Sequence, residues 1–181
     1  MVFLLFHAFI PLFLYEIPKI KERFQAHRFA LLLGSLAPDL IDKPLSLFSD
    51  SFGGRGIGHT PILQLTIILV LVLYEYNRKP ENYAISWSYS VGTLFHLLLD
   101  IPSVPWLYPI VQYNFLYEED LIESWFYTLF HNPLIISTEL IGLFGLVAIG
   151  YKNALIFKQK KLIDIERTKD YLFKLETRIN T

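Results

Sequence analysis

The sequence predicts an all-α fold: a polytopic membrane helical bundle of about five membrane helices plus a cytoplasmic C-terminal helix. Three observations predict it. Hydrophobic residues make up 53% of the 181 residues and charged residues only 18%, where a soluble domain carries about 25% charge. The apolar residues gather into five stretches separated by charged breaks. Three of those stretches reach the roughly 17–25 residues that cross a bilayer as a helix. So much apolar and aromatic surface excludes a disordered chain. With no cysteine, a disulfide scaffold and a thiolate metal site are excluded too. A net charge of −1 offers no broad basic surface, so no nucleic-acid partner is expected. The blander alternative is a soluble helical domain, but three long uncharged runs are hard to bury in so short a chain.

The first stretch, Met1 to Tyr15, is closed by Glu16. It lacks the basic n-region and the small-residue cleavage site of a signal peptide. The second, Phe29 to Ala37, is too short to cross unaided, and Pro38 is expected to break that helix or start a new one. The third runs without formal charge from Gly56 to Tyr74, with Pro61 suited to a first helical turn. The fourth runs from Asn82 to Leu99 and is closed by Asp100. The fifth, Asn132 to Tyr151, is interrupted only by Glu139. Residues 152–181 hold eight Lys and Arg against four Asp and Glu, a net of +4, so the preceding 151 residues carry −5. Two parts are expected: a membrane-embedded domain over 1–151 and a basic amphipathic cytoplasmic tail over 152–181.

Cytoplasmic loops are rich in Lys and Arg. Lys19, Lys21, Arg23 and Arg28, then Arg78 and Lys79, then the tail, supply such loops. Residues 101–132 have no Lys or Arg and hold Glu118, Glu119, Asp120 and Glu123. One topology fits: N-terminus outside, five crossings of a plasma or inner membrane, tail inside. Six ligand-type residues, His7, Asp39, Asp42, His59, His96 and Asp100, then fall at the outer face.

These six carry the chemistry. His96 and Asp100 are four apart in GTLFHLLLD, one turn apart on one helical face, close enough to share a metal ion. Imidazole and carboxylate suit zinc first, with manganese or magnesium as alternatives. Asp39 and Asp42 lie in GSLAPDLID. Both can ligate, one can orient the other ligands from behind, or either can cap a helix. His59 lies in GGRGIGHTP, where glycines allow close approach to a ligand and Arg55 suits an anionic group such as phosphate. His7 is a satisfied interior residue or, because ionisable groups within membranes are functional by default, a ligand. His131 and Glu139, eight apart, read as structural or orienting, His27 as interfacial, and Trp87, Trp106 and Trp125 as interface or packing residues. Buried charges are costly unless paired or bound to metal, and Lys43 and Arg55 are the only cations local to three carboxylates in the sequence. There is no GxSxG, P-loop or HExxH.

LGSLAPDLIDKPL, GRGIGHTP, GTLFHLLLD and then WLYPI, in this order, resemble the YdjM-like (LexA-regulated) membrane-bound metal-dependent hydrolases over about residues 1–115. The resemblance implies an integral membrane protein with a metal-dependent hydrolytic site. Many members read His-Arg-Gly-x-Thr-His where this chain has Gly54, Arg55, Gly56, Ile57, Gly58 and His59; only His59 carries over as a ligand. The order of His, Asp, His and His-x-x-x-Asp is also distantly similar to zinc-dependent phospholipase C and the P1-type nucleases. That likeness implies that Asp39 or Asp42, His59, His96 and Asp100 hold one zinc, with His7 facing a second site.

The function expected is hydrolysis of a phosphoester or lipid head group by a metal-activated water. Asp42 is the expected proton acceptor and Arg55 the phosphate holder, and membrane lipid is the expected partner. The alternative is a non-catalytic metal-stabilised membrane scaffold, or a transporter or channel component.

Overall fold

Among the described residues, helix-forming apolar runs bounded by Pro, Gly and charge become seven α-helices and one short 3-10 turn. The computed structural model describes residues 4–48, 56–78, 83–101, 103–111, 113 and 121–179. The helices are α1 (Leu4–Tyr15), α2 (Pro18–Arg23), α3 (Arg28–Phe48), α4 (Pro61–Arg78), α5 (Ala84–Leu99), α6 (Leu121–His131) and α7 (Pro133–Ile179), with the 3-10 turn at Ile57–His59 before α4. The described residues contain no strand, as the all-α expectation requires. The chain divides into two compact units, Met1–Gly145 and Leu146–Thr181.

One expectation about the elements is corrected. Pro38 neither ends nor starts a helix: α3 runs through both Pro38 and Pro44. A proline inside a helix removes the N–H that would bond the carbonyl four residues earlier. For Pro38 that carbonyl is Gly34 O, and it accepts a hydrogen bond from Thr93 Oγ1 of α5 at 3.1 Å instead. Tertiary structure thus replaces the lost donor. The expectation of five crossings is met in part. Among the described residues, one helical segment, Pro133–Lys169, is long and apolar enough to cross a membrane. α1 and α5 are apolar but only 12 and 16 residues long, and α3 carries Asp39, Asp42 and Lys43 within its 21 residues.

In the first unit α3 packs chiefly on α5, and α1 lies against both. The α3–α5 approach is close: a Cβ on Gly92 would collide with the backbone oxygen of Leu31. Ala30, Ala37 and Tyr89 form a small apolar core, flanked by Ile67, Ile68, Leu71 and Ile85. Two carboxylates set in helices cap the first turns of others. Glu75 of α4 accepts the N–H groups of Ile85 (2.8 Å) and Ser86 (2.9 Å) at the start of α5. Glu139 of α7 accepts those of Leu5 and Phe6 at the start of α1, both at 3.1 Å. Each meets orphan donors that a helix N-terminus leaves exposed.

Arg28 starts α3 and Arg78 ends α4. The start of α3 meets α5 near its own beginning, where Ser88 Oγ accepts the N–H of His27 at 2.8 Å. His27 Nδ1 in turn accepts the N–H of Ala30 at 3.2 Å, so this ring caps α3. The basic residues Lys21 and Arg28 pair here with Glu16. The C-terminal end of α5, the start of α4 and the second half of α3 meet at the opposite end, and that is where the candidate site lies.

The interior is unusual in its polarity. Among the described residues thirteen buried ones are polar or charged against eight hydrophobic, while large apolar side chains such as Leu65, Leu69, Val70, Leu73, Phe126 and Phe144 are exposed. A water-soluble domain shows the reverse. In a helical protein such a large apolar exterior marks contact with an apolar medium or partner.

Candidate metal centre

Three α-helices and one 3-10 turn bring the site together. On α3, Ser35, Asp39 and Asp42 recur at i, i+4 and i+7, and all three are buried. On α5, Thr93, His96 and Asp100 recur at i, i+3 and i+7, again all buried. That spacing holds them on one helical face. The 3-10 turn supplies His59, and α1 supplies His7. All six predicted ligand-type residues therefore meet in one cluster, each 3% exposed or less.

Asp42 anchors the turn. Its Oδ1 accepts the N–H of Gly58 (2.6 Å), and its Oδ2 accepts the N–H of Gly56 (2.7 Å) and of His59 (3.1 Å). Oδ2 also accepts the ring Nδ1–H of His59 at 2.6 Å. Such close approach requires glycine at 58, since a Cβ there would sit 2.6 Å from Pro38 O and 2.7 Å from Asp42 Oδ1. Four donors thus hold Asp42 on the Nδ1 side of His59. Both oxygens of its carboxylate are thus taken up by donors of the 56–59 turn, and Asp42 belongs to neither residue set spaced to hold an ion.

Hydrogen-bond logic fixes both tautomers. A carboxylate only accepts, so His59 carries its proton on Nδ1. The backbone oxygen of Ser35 only accepts, so His96, at 2.7 Å, carries its proton on Nδ1 as well. Both rings therefore turn their Nε2 atoms inward, and those atoms lie 3.1 Å apart. At that separation the two nitrogens either share a proton or face a metal ion together. Around them stand Asp100 Oδ2, 3.4 Å from His59 Nε2 and 3.8 Å from His96 Nε2, and Asp39 Oδ1, 3.7 Å from His59 Nε2. Ligands about 2.0–2.1 Å from a tetrahedral zinc lie roughly 3.4 Å from one another, close to these separations. Asp39, His59 and His96 form one set with spacing to hold a metal ion; His7, His96 and Asp100 form another.

The remaining predicted residues fall as follows. His7 Nε2 lies 3.4 Å from Asp100 Oδ1, and its ring packs on His96 with centroids 4.1 Å apart. Lys43 Nζ pairs with Asp39 Oδ2 at 2.8 Å, leaving Asp39 Oδ1 toward the imidazoles. Arg55 lies outside the described residues. His131 and Glu139 stay out of the cluster: His131 stacks on Tyr127, and Glu139 caps α1. Sequence reasoning missed Ser35, whose carbonyl sets the His96 tautomer, and Gln64, whose side-chain amide meets Gly58 O at 2.7 Å. Backbone acceptors leave no trace in residue identity. Gln64 had a signal: it is an amide inside the uncharged run 56–74.

Fold and site together define a helical protein with an apolar exterior and a buried imidazole–carboxylate cluster suited to a metal ion. The chain belongs to the YdjM inner membrane protein family, whose sequence profile matches residues 1–160. It is thus a membrane protein. No match was found among curated proteins or among solved structures. The likeness to zinc-dependent phospholipase C and the P1-type nucleases rests on residue order alone.

Proposed function

We propose that this chain is a membrane-embedded, metal-dependent hydrolase of a phosphoester or lipid head group. One observation carries the reading: the Nε2 atoms of His59 and His96 converge at 3.1 Å beside the carboxylates of Asp39 and Asp100. A divalent ion answers that arrangement. Asp39, His59, His96 and Asp100 would hold it, with zinc favoured by the two imidazoles over manganese or magnesium. Such an ion, when bound, supplies a water of lowered pKa and a Lewis acid for a phosphoryl oxygen.

The protein's own groups do the rest. Asp42 and the Ser35 carbonyl hold the imidazoles in the ligating tautomer. Lys43 holds one oxygen of Asp39 and aims the other inward. Asp42 stays the assigned proton acceptor, and His7, beside Asp100 Oδ1, is a second group of that kind. Arg55 is assigned the anionic group of the substrate. The basic residues at one end of the first unit support the expected topology, with the site near the outer face and the tail in the cytoplasm. A lipid substrate suits this depth because it diffuses in laterally.

The test is metal analysis of detergent-purified protein beside a substrate screen. Wild type is expected to copurify with a divalent metal and the His96→Ala, Asp100→Ala double variant to lose it. Unchanged metal content in the double variant rejects the site. Phospholipid and phosphodiester substrates are then offered to metal-stripped and metal-restored protein. A second reading, a metal-stabilised scaffold, is favoured by the burial of all six residues. Bound metal without turnover of any substrate selects it, because a closed four-ligand site is structural and an open one catalytic.

A further inference from the structure

Gln64 lies on α4, one turn beyond the site, in a helix otherwise almost wholly apolar along its first half. It is 2% exposed. Its amide orientation is forced. Gly58 O can only accept, so Gln64 must present Nε2 to it, at 2.7 Å. Oε1 therefore faces Tyr89, whose hydroxyl donates to it at 2.8 Å. Tyr89 belongs to the small core and is itself buried.

The peptide that Gln64 grips matters. Gly58 C=O and His59 N–H belong to one peptide plane. Its oxygen accepts from Gln64, and its N–H donates to Asp42 Oδ2 at 3.1 Å. That same oxygen accepts His59 Nδ1–H. A single chain of hydrogen bonds thus runs from Tyr89 through Gln64 and the Gly58–His59 peptide to Asp42, and back to the His59 ring. Hydrogen bonds in series polarise one another inside a low-dielectric interior. An amide gripped at its oxygen is a stronger donor at its nitrogen.

We infer that Gln64, held by Tyr89, is a positioning residue of the metal site: it fixes and polarises the Gly58–His59 peptide so that Asp42 holds the His59 ring with Nε2 toward the ion. The inference rests on the metal reading proposed above. Gln64 touches no ligand atom and acts only through this peptide. Its alternative role, merely tying α4 to α5, needs the Tyr89 contact alone.

The test is cobalt(II) titration of the full-length, metal-stripped protein in detergent, read by its d–d absorption. Gln64→Met keeps the length of the side chain and removes both hydrogen bonds. It is expected to weaken cobalt binding by less than the about 10–100-fold that losing a direct partner of a ligand costs, and to shift the d–d bands. Tyr89→Phe removes one hydroxyl from a retained ring and is expected to move both readouts in the same direction by less. If Gln64→Met does not fold, Tyr89→Phe decides. Thr66→Val, on the exposed side of α4, is the unaffected control. Cobalt affinity and spectrum unchanged in both variants overturn the inference while leaving the metal reading in place. A wild type that binds no cobalt overturns the metal reading and this inference with it.

Discussion

At the scale of single residues, the two inward-facing imidazoles owe their direction to acceptors that stand behind them. Asp42 sets His59 and the Ser35 carbonyl sets His96. Asp42→Asn tests the first. An amide in place of the carboxylate turns an NH2 toward a pocket lined by N–H donors, so His59 Nδ1–H loses its charged acceptor. Metal affinity is expected to fall about 10–100-fold with the ligand set intact, measured by competition with a chelating indicator. Affinity within twofold of wild type would show that the tautomer does not depend on Asp42. The six site residues were legible in the sequence because residue type is itself the signal: imidazoles and carboxylates placed within or beside apolar runs need a reason. The division of labour among them was not legible. Whether a carboxylate ligates or orients is decided by which backbone N–H groups surround it, and the sequence does not display those.

At the scale of the elements, the sequence misplaced the end of a helix for a physical reason. Pro38 lacks an N–H, and a helix interior normally rejects it. α3 tolerates it because Thr93 of α5 donates to the carbonyl that Pro38 abandons. This compensation spans 55 residues of chain and no local pattern announces it. Thr93→Val should leave Gly34 O without that donor in a buried helix contact, at a cost of about 1–3 kcal/mol. Thr93→Ser should retain most of the stability. Pro38→Ala restores the local N–H, so adding it to Thr93→Val should recover part of the loss. Thermal midpoints in detergent give the cycle, and purely additive effects would disprove the compensation. The same helix brings Asp39 and Asp42 onto one face only because it continues past Pro38. The proline that suggested a break is where the site's geometry depends on there being none.

At the scale of the whole molecule, polar groups lie inside and large apolar groups outside, and that inversion determines what can hold the first unit together. The composition made the apolar exterior legible but not the helix ends, since α5 is 16 residues long inside the longer apolar run from Asn82 to Leu99. Between helices in lipid there is no hydrophobic drive, since the tails are as apolar as leucine; packing and polar contacts remain. The apolar core here is small, three buried residues and their neighbours. α1, α3, α5 and the 57–59 turn instead converge on the imidazole–carboxylate cluster. A cation held by Asp39, His59, His96 and Asp100 would tie α3, α5 and the turn at once, and its removal would leave the two Nε2 atoms to share a proton. Chelation should lower the thermal midpoint of wild-type protein. An ion held at a hundred times its Kd contributes about 2.7 kcal/mol of stability. His96→Phe, which removes one of the opposed nitrogens, should be less stable than the metal-bound wild type and indifferent to the chelator. Differential scanning with and without chelator measures both. Equal midpoints for wild type in the two conditions would mean that no bound ion contributes to the fold, and the cluster would then have to hold by proton sharing between His59 and His96 alone.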